Sequence, residues 1–375
     1  MSAFRRLDVT GPIPVVLVGA GAMGRAWMRN LTRSEEVDLV GLVDLDLDLA
    51  RRAADDGALG DVTLGTSTAA VAAASGALAV VDVTVPPAHR PVNEEALRAG
   101  LPVLCEKPIA PTLAQALSQV ALAEVTGELL MVSQSRRYYD DLTAFRDVLR
   151  TLGDVGVVTT EFFKAPHFGG FREEMAHPLL VDMAIHPFDA VRYLTDADPV
   201  SVSCSTWNPS WSWFRGDAAA TAEFELEGGI RYVYTGSWVA PGLETSWNGS
   251  WRASSSEGSA TWDGTNAPVT DAGPVPAPAP GAGEEIAGSL AAFVRALRTG
   301  ETPSGEIHGN IPSLAMVEGA VRSADSGVRV VLADLLEDAW REARDTERAP
   351  DVRERLASWG SAAAGLSDRI EAPVG

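Results

Sequence analysis

A chain of 375 residues with 46% apolar side chains has room for about two domains and a sizeable core, and its net charge of −21 (pI near 4.6) repels phosphate backbones and anionic lipid, which argues against nucleic-acid and membrane partners. Two cysteines, Cys105 and Cys204, make no disulfide framework and fit a reducing compartment, the cytoplasm. No apolar run reaches the ~20 residues of a membrane-spanning helix; Arg5-Arg6 ahead of Ile13 looks like a twin-arginine export signal, but cleavage there would destroy the nucleotide-binding fingerprint that follows.

Residues 13–24 read IPVVLVGAGAMG. Val15 to Val18 make a short buried strand, and Gly19-x-Gly21-x-x-Gly24 follows at once. Residues 25–33 carry a helix with Trp27, Met28 and Leu31 on one face. This order suits a dinucleotide pyrophosphate. Gly19 permits the tight turn, Gly21 lets backbone approach the phosphates, and Gly24 lets the helix pack close with its amides aimed at the anion. Ala22 and Met23, between the last two glycines, join the cofactor set. A second strand, Val37–Val43, ends in Asp44, twenty residues after Gly24. An acid there accepts from both adenosine ribose hydroxyls and opposes a 2′-phosphate, so NAD is expected rather than NADP.

Two further β-like runs, Leu78–Val85 and Pro102–Cys105, flank a helical stretch, Val92–Ala99, with Gly100 at its C-cap. Alternating strand and helix imply a parallel sheet whose ligands bind at the carboxyl strand ends. TVPPAHR (84–90) and CEKP (105–108) lie at such ends, in loops stiffened by proline. Pro86, His89 and Glu106 are therefore expected at the cofactor, and Lys107 is a cation at the ligand edge.

GAGAMG, the strand-end Asp44, VTVPPAH and CEKP together resemble the Gfo/Idh/MocA oxidoreductases, the family of glucose–fructose oxidoreductase and inositol dehydrogenase. The similarity runs from about residue 13 to 332 and includes LRTLGDVGVV at 149–158. The resemblance implies an Asp-x-x-x-His pair in a second domain, here Asp182 and His186 within HPLLVDMAIHPFDAVRYL (177–194). Asp189, three residues beyond His186, would share their face on a regular helix. Two features depart from the family pattern: REEMAHPLLVD replaces a glycine-rich run, and Ala184 stands where glycine is common. The resemblance further implies that Lys107, Asp182 and His186 converge beside the nicotinamide as catalytic groups. His186 can take a hydroxyl proton near neutral pH, Lys107 can stabilise developing negative charge, and Asp182 can fix the imidazole. His167, His177, Asp182 and His186 match no tight metal motif, and no metal is expected.

Beyond residue 150 the pattern turns to β. Val200–Thr206, Ala218–Leu226 and Ile230–Val239 alternate or are β-branched, and Gly228-Gly229 marks a hairpin. A broad, mainly antiparallel sheet is predicted, as in the family. Seven of ten tryptophans lie between 207 and 262, suited to stacking on a sugar face, packing the sheet or lining a subunit interface; Trp213 or Trp247 is the one expected near substrate. Arg137 and Tyr138 (after a strand at Leu129–Val132), Arg172 and His177 are the other substrate candidates. Residues 264–285 read as a flexible Pro/Gly/Ala loop, followed by helices at Glu285–Leu297 and Ile311–Ser326.

The predicted organisation is a doubly wound Rossmann domain over residues 1–132, an α+β substrate and oligomerisation domain over 133–334, and a helical or partly disordered extension over 335–375. The expected function is NAD-dependent oxidation of a secondary hydroxyl in a sugar, cyclitol or related polyol by a homodimer or homotetramer. The alternatives are a redox-neutral NAD-using enzyme of the same family, either a transient-oxidation glycosidase or an imine or ketone reductase, and a nicotinamide-binding regulator without turnover.

Overall fold

The computed structural model describes residues 4–275 and 283–367. The chain forms two compact units: one takes the stretch up to Ser135, Glu285–Ile311 and the chain from Glu337, and the other takes Arg136–Glu284 and Pro312–Leu336.

The first unit is built on six strands: β1 (Ile13–Val18), β2 (Val37–Val43), β3 (Thr63–Gly65), β4 (Ala79–Asp82), β5 (Val103–Glu106) and β6 (Leu130–Ser133). They pair in parallel in the order β3-β2-β1-β4-β5-β6, so strand order reverses beside β1 and opens a crevice at the carboxyl ends of β1 and β4. Val16, Leu17, Val80, Val103 and Leu104 are fully buried, which is why these strands read as continuous apolar runs rather than alternating ones. The connections are α1 (Ala22–Arg33), α2 (Leu47–Asp56), α3 (Thr68–Ser75), α4 (Pro86–Arg98) and α5 (Leu113–Thr126). One local expectation is corrected: Pro86-Pro87 do not prolong a loop but open α4. The first helical turn needs no intrahelical N–H donors, so proline fits there, and His89 consequently sits on a helix.

The second unit carries an eight-stranded sheet of β7 (Val155–Phe163), β8 (Pro199–Trp207), β9 (Ala219–Leu226), β10 (Arg231–Ser237), β11 (Ser250–Ser255), β12 (Gly258–Trp262), β13 (Val269–Thr270) and β14 (Val330–Val331). The order is β13-β12-β11-β7-β10-β9-β8-β14; only β7 and β10 pair in parallel. Gly228 and Gly229 turn the β9–β10 hairpin at φ 71° and 80°, a region that side chains resist. The buried face carries Phe224, Tyr232 and Tyr234 against Phe188 of α7 (Ile185–Thr195), beside α6 (Asp140–Leu149). Trp238, Trp251 and Trp262 are buried in this unit, whereas Trp207, Trp211 and Trp247 are exposed. Within the predicted loop 264–285, Val269–Thr270 pairs with β12, and residues 276–282 lie outside the described residues.

The chain then runs through α8 (Glu285–Thr299), α9 (Ile307–Ser326), α10 (Leu332–Thr346), α11 (Pro350–Ser358) and α12 (Ala362–Ser367). Among the described residues no helix is long and apolar enough to cross a membrane. The C-terminal helices are fastened to the first unit by a buried ionic cluster. Glu124 of α5 accepts from Arg355 at 2.8 and 3.2 Å and from the Trp359 indole at 2.9 Å. His308 lies between Glu124 (3.2 Å) and Glu306 (2.7 Å). Burial disfavours the His308 cation, yet the two carboxylates lift its pKa above the ordinary value. Burial likewise opposes ionisation of Glu124, but His308, Arg355 and Trp359 bring it down to about 2.

The linkage has a definite sign. The His308 contribution is full below the ordinary histidine pKa of 6.5 and is lost as pH rises through the elevated folded value. The Glu124 contribution is full above 4.5 and is lost as pH falls towards about 2. His308→Gln should therefore lower the melting temperature most near pH 6, with the deficit shrinking towards alkaline pH. Thermal melts across that range check this; a deficit that does not vary with pH would deny the ionic role.

Candidate functional site

In the first unit the glycine turn follows β1 directly. A Cβ on Gly24 would come within 2.0 Å of the Gly19 carbonyl oxygen, and one on Gly19 within 2.9 Å of the Val83 carbonyl oxygen. Both positions are closed to side chains by backbone. A Cβ on Gly21 would meet nothing within 4 Å, so the space beside it is open. Helix α1 begins at Ala22 without a side-chain cap, and Gly21, Ala22 and Met23 are exposed at its N-terminus. Its first amides remain available to an anion. Asp44, at the end of β2, accepts from the Ala20 amide at 2.8 Å and the Asp46 amide at 2.9 Å. Two backbone donors thus orient its carboxylate, and each oxygen retains a lone pair for a hydroxyl. These residues fit a dinucleotide.

At the end of β5, Glu106 accepts from the buried Trp27 indole at 2.8 Å and from the Lys107 amide at 3.1 Å. Lys107 is half-buried and is followed by Pro108 across a cis peptide. His89 is fully buried. Its Nδ1 faces the Pro108 carbonyl at 2.8 Å and its Nε2 the Thr84 carbonyl at 3.1 Å. The ring, predicted at the cofactor, instead spans the segments after β4 and β5. Pro86 lies half-buried in the first turn of the same helix. Ligand atoms of Asp82, His89 and Cys105 lie within 4.8 Å of one another. Burial pushes the Cys105 thiol well above its ordinary pKa, and both His89 nitrogens are already engaged, so this cluster has the chemistry of a hydrogen-bonded core.

In the second unit, Asp182 and His186 are separated by a change of helical register. Leu179–Met183 forms a wide turn, closed by a five-residue bond from the Ala184 amide to the Leu179 carbonyl at 2.9 Å, before α7 begins at Ile185. Pro187 explains the break, since it has no N–H to continue the ladder. Wide turns of this kind occur often at functional sites. Asp182 accepts from Arg172 Nε at 2.6 Å, which brings two sequence-predicted residues together. The Arg172 guanidinium lies over Phe168 and Phe171, at 5.3 and 4.9 Å. His186 lines a small cavity with Arg136, Asn248, Trp251 and Trp262.

The polar stripe divides here. Asp189 turns to Arg137, which donates to it bidentately at 2.6 and 2.7 Å, and it accepts from Ser313 at 2.6 Å. Arg137 and Asp189 side chains are only 10% and 3% exposed, so this pair is part of the interior of the unit. Tyr138 is half-buried in the turn before α6, and His177 Nε2 faces Asp325 at 2.9 Å. Trp213 stacks on His167 with ring centres 3.8 Å apart and donates to the Pro166 carbonyl. Arg136 was not singled out from sequence. It donates to the Trp247 carbonyl and approaches Met183 Sδ at 3.8 Å, joining the 244–249 loop to the turn that carries Asp182.

Residues 13–134 match the family described as "Oxidoreductase family, NAD-binding Rossmann fold", and residues 149–261 match the "GFO/IDH/MocA C-terminal domain". Inositol 2-dehydrogenase 1 of Paenarthrobacter aurescens is 29% identical over 209 residues, covering 54% of this chain and 60% of that protein. D-apiose dehydrogenase of Paraburkholderia graminis is 30% identical over 235 residues, covering 60% of each. The matches span between 55% and 65% of the length of such curated relatives. An Agrobacterium radiobacter oxidoreductase, crystallised with NAD+, L-tartaric acid and magnesium, shares the fold at TM-score 0.77 and 20% identity, covering 86% of this chain and 99% of that one.

Proposed function

This chain belongs to the Gfo/Idh/MocA oxidoreductase family, and from that premise we propose that it is an NAD-dependent dehydrogenase of a sugar, cyclitol or related polyol, with bound NAD supplying the hydride acceptor. The observation that carries the reading is Lys107, a half-buried cation directly behind β5, at the strand-end edge where the dinucleotide cradle opens. In this reading Gly19, Gly21, Ala22, Met23 and Gly24 hold the pyrophosphate, and Asp44 receives the adenosine ribose hydroxyls. Lys107 donates to the reacting oxygen and stabilises charge there. His186 takes the hydroxyl proton, and positioned base catalysis of this kind is typically worth about 10²–10⁴-fold. Asp182 orients the imidazole, and Arg172 in turn holds Asp182. The names of the inositol and apiose dehydrogenases support a polyhydroxylated substrate.

A panel of cyclitols, aldoses and acyclic polyols incubated with NAD+ tests this, followed by the absorbance of reduced cofactor. Reduction with at least one ring polyol is expected. No reduction of NAD+ or NADP+ across the panel would overturn the dehydrogenase reading.

A further inference from the structure

Of the 30 basic side chains only two are lysines, Lys107 and Lys164. In a chain that uses arginine almost everywhere, a lysine supplies a compact ammonium rather than a planar fork. Lys164 stands immediately past the end of β7 and is half-buried. Its ammonium is 3.0 Å from Glu244 and lies 5.2 Å from the centre of the Trp247 ring. The other Glu244 oxygen accepts from the Ala165 amide at 3.1 Å. Thr245 bonds the Phe163 backbone in both directions, through its amide and its hydroxyl, each at 3.0 Å. The two loops are therefore stitched together and the charged pair is held in place.

Trp247 is 44% exposed, and the 45% exposed Phe168 stands 6.3 Å from it. Among the described residues Glu244 is the only hydrogen-bond partner of the Lys164 ammonium, which leaves two of its three donors for a ligand or water. The patch is continuous with the candidate site of the same unit: Trp247 meets Phe168, Phe168 lies under Arg172, and Arg172 holds Asp182.

We propose that Lys164, Glu244 and the exposed part of the Trp247 indole form a recognition subsite for an uncharged polyhydroxylated ring. The ring's C–H face stacks on the indole, while the ammonium donates to one hydroxyl and the carboxylate accepts from its neighbour. A fixed ammonium–carboxylate pair matches a vicinal diol, whose hydroxyls both give and take hydrogen bonds. A phosphate or carboxylate in the same place would oppose Glu244. The assignment rests on the polyol reading and names which part of such a substrate this unit selects.

The test is titration of the full-length protein, saturated with NADH, with myo-inositol, D-glucose and D-xylose, read by calorimetry. The wild type is expected to bind at least one. Lys164→Ala should weaken that binding at least tenfold, with NADH affinity and melting temperature held within twofold and a few degrees. Lys164→Arg should fail to restore it, and Trp247→Phe should retain more affinity than Trp247→Ala. Absence of ring binding by the wild type, or wild-type affinity in Lys164→Ala, overturns the subsite. Lys164-dependent binding without oxidation of any ring would instead sink the dehydrogenase reading and leave the subsite standing. Oxidation with an unchanged KM in Lys164→Ala would do the reverse.

Discussion

Lys107→Ala is expected to lower kcat at least about a hundredfold, while the affinity for NADH stays within about threefold. The local structure makes this a clean substitution. The position of the segment is set by neighbours that the mutation does not touch: the Lys107 amide donates to Glu106, and His89 holds the Pro108 carbonyl. What is lost is the ammonium, with its hydrogen bond and its field at a developing oxyanion. Lys107→Arg should rescue poorly, because a guanidinium is larger and planar and presents its donors in a fixed fork rather than as a compact ammonium. Steady-state kinetics on the best substrate of the panel, paired with NADH fluorescence titration, separate the two effects. Turnover at the wild-type rate would end the catalytic assignment.

Asp44→Ser should move cofactor preference towards NADP by at least about tenfold in the ratio of kcat/KM values. A carboxylate and a 2′-phosphate ~4 Å apart repel by a few kcal/mol per charge at an effective dielectric near 20, before screening. Removing the charge removes that penalty, and it also removes the acceptor for the ribose hydroxyls of NAD. The Asp44 carboxylate additionally anchors the Ala20 amide inside the glycine turn, so some loss of affinity for both cofactors is expected. Asp44→Asn keeps a side-chain carbonyl for that amide and isolates the charge term. Competition between NAD+ and NADP+ measures the shift; an unchanged ratio would remove the ribose role of Asp44.

The cradle was legible because its local requirements are backbone requirements. Gly24 and Gly19 exclude side chains through carbonyl oxygens one residue type can tolerate, and the apolar run of β1 reveals itself by burial on both faces. Partner choice among polar side chains was not legible. Asp182 and Asp189 look alike at helical spacing, yet one meets Arg172 and the other meets Arg137, because the wide turn at Leu179–Met183 alters the phase between them. Pro187 hinted at the break without specifying its form. His89 looked like a ligand contact because it stands near a strand end. Its burial between two carbonyls follows from helix α4 starting at Pro86, within a Pro-Pro stretch whose local pattern is that of a loop. The partners of Glu124 lie 184 to 235 positions away, beyond the reach of any local pattern.

That separation bears on how the protein is made. Arg355 emerges 231 residues after Glu124 and Trp359 emerges 235 after it. At ordinary synthesis rates the acid waits on the order of 10–50 s for its partners, with α5 lacking its C-terminal cover. During translation the first unit is an open fragment, and the second is finished before it. Its closure is a late, long-range event, and the nascent chain is most exposed to chaperones and proteases in that interval.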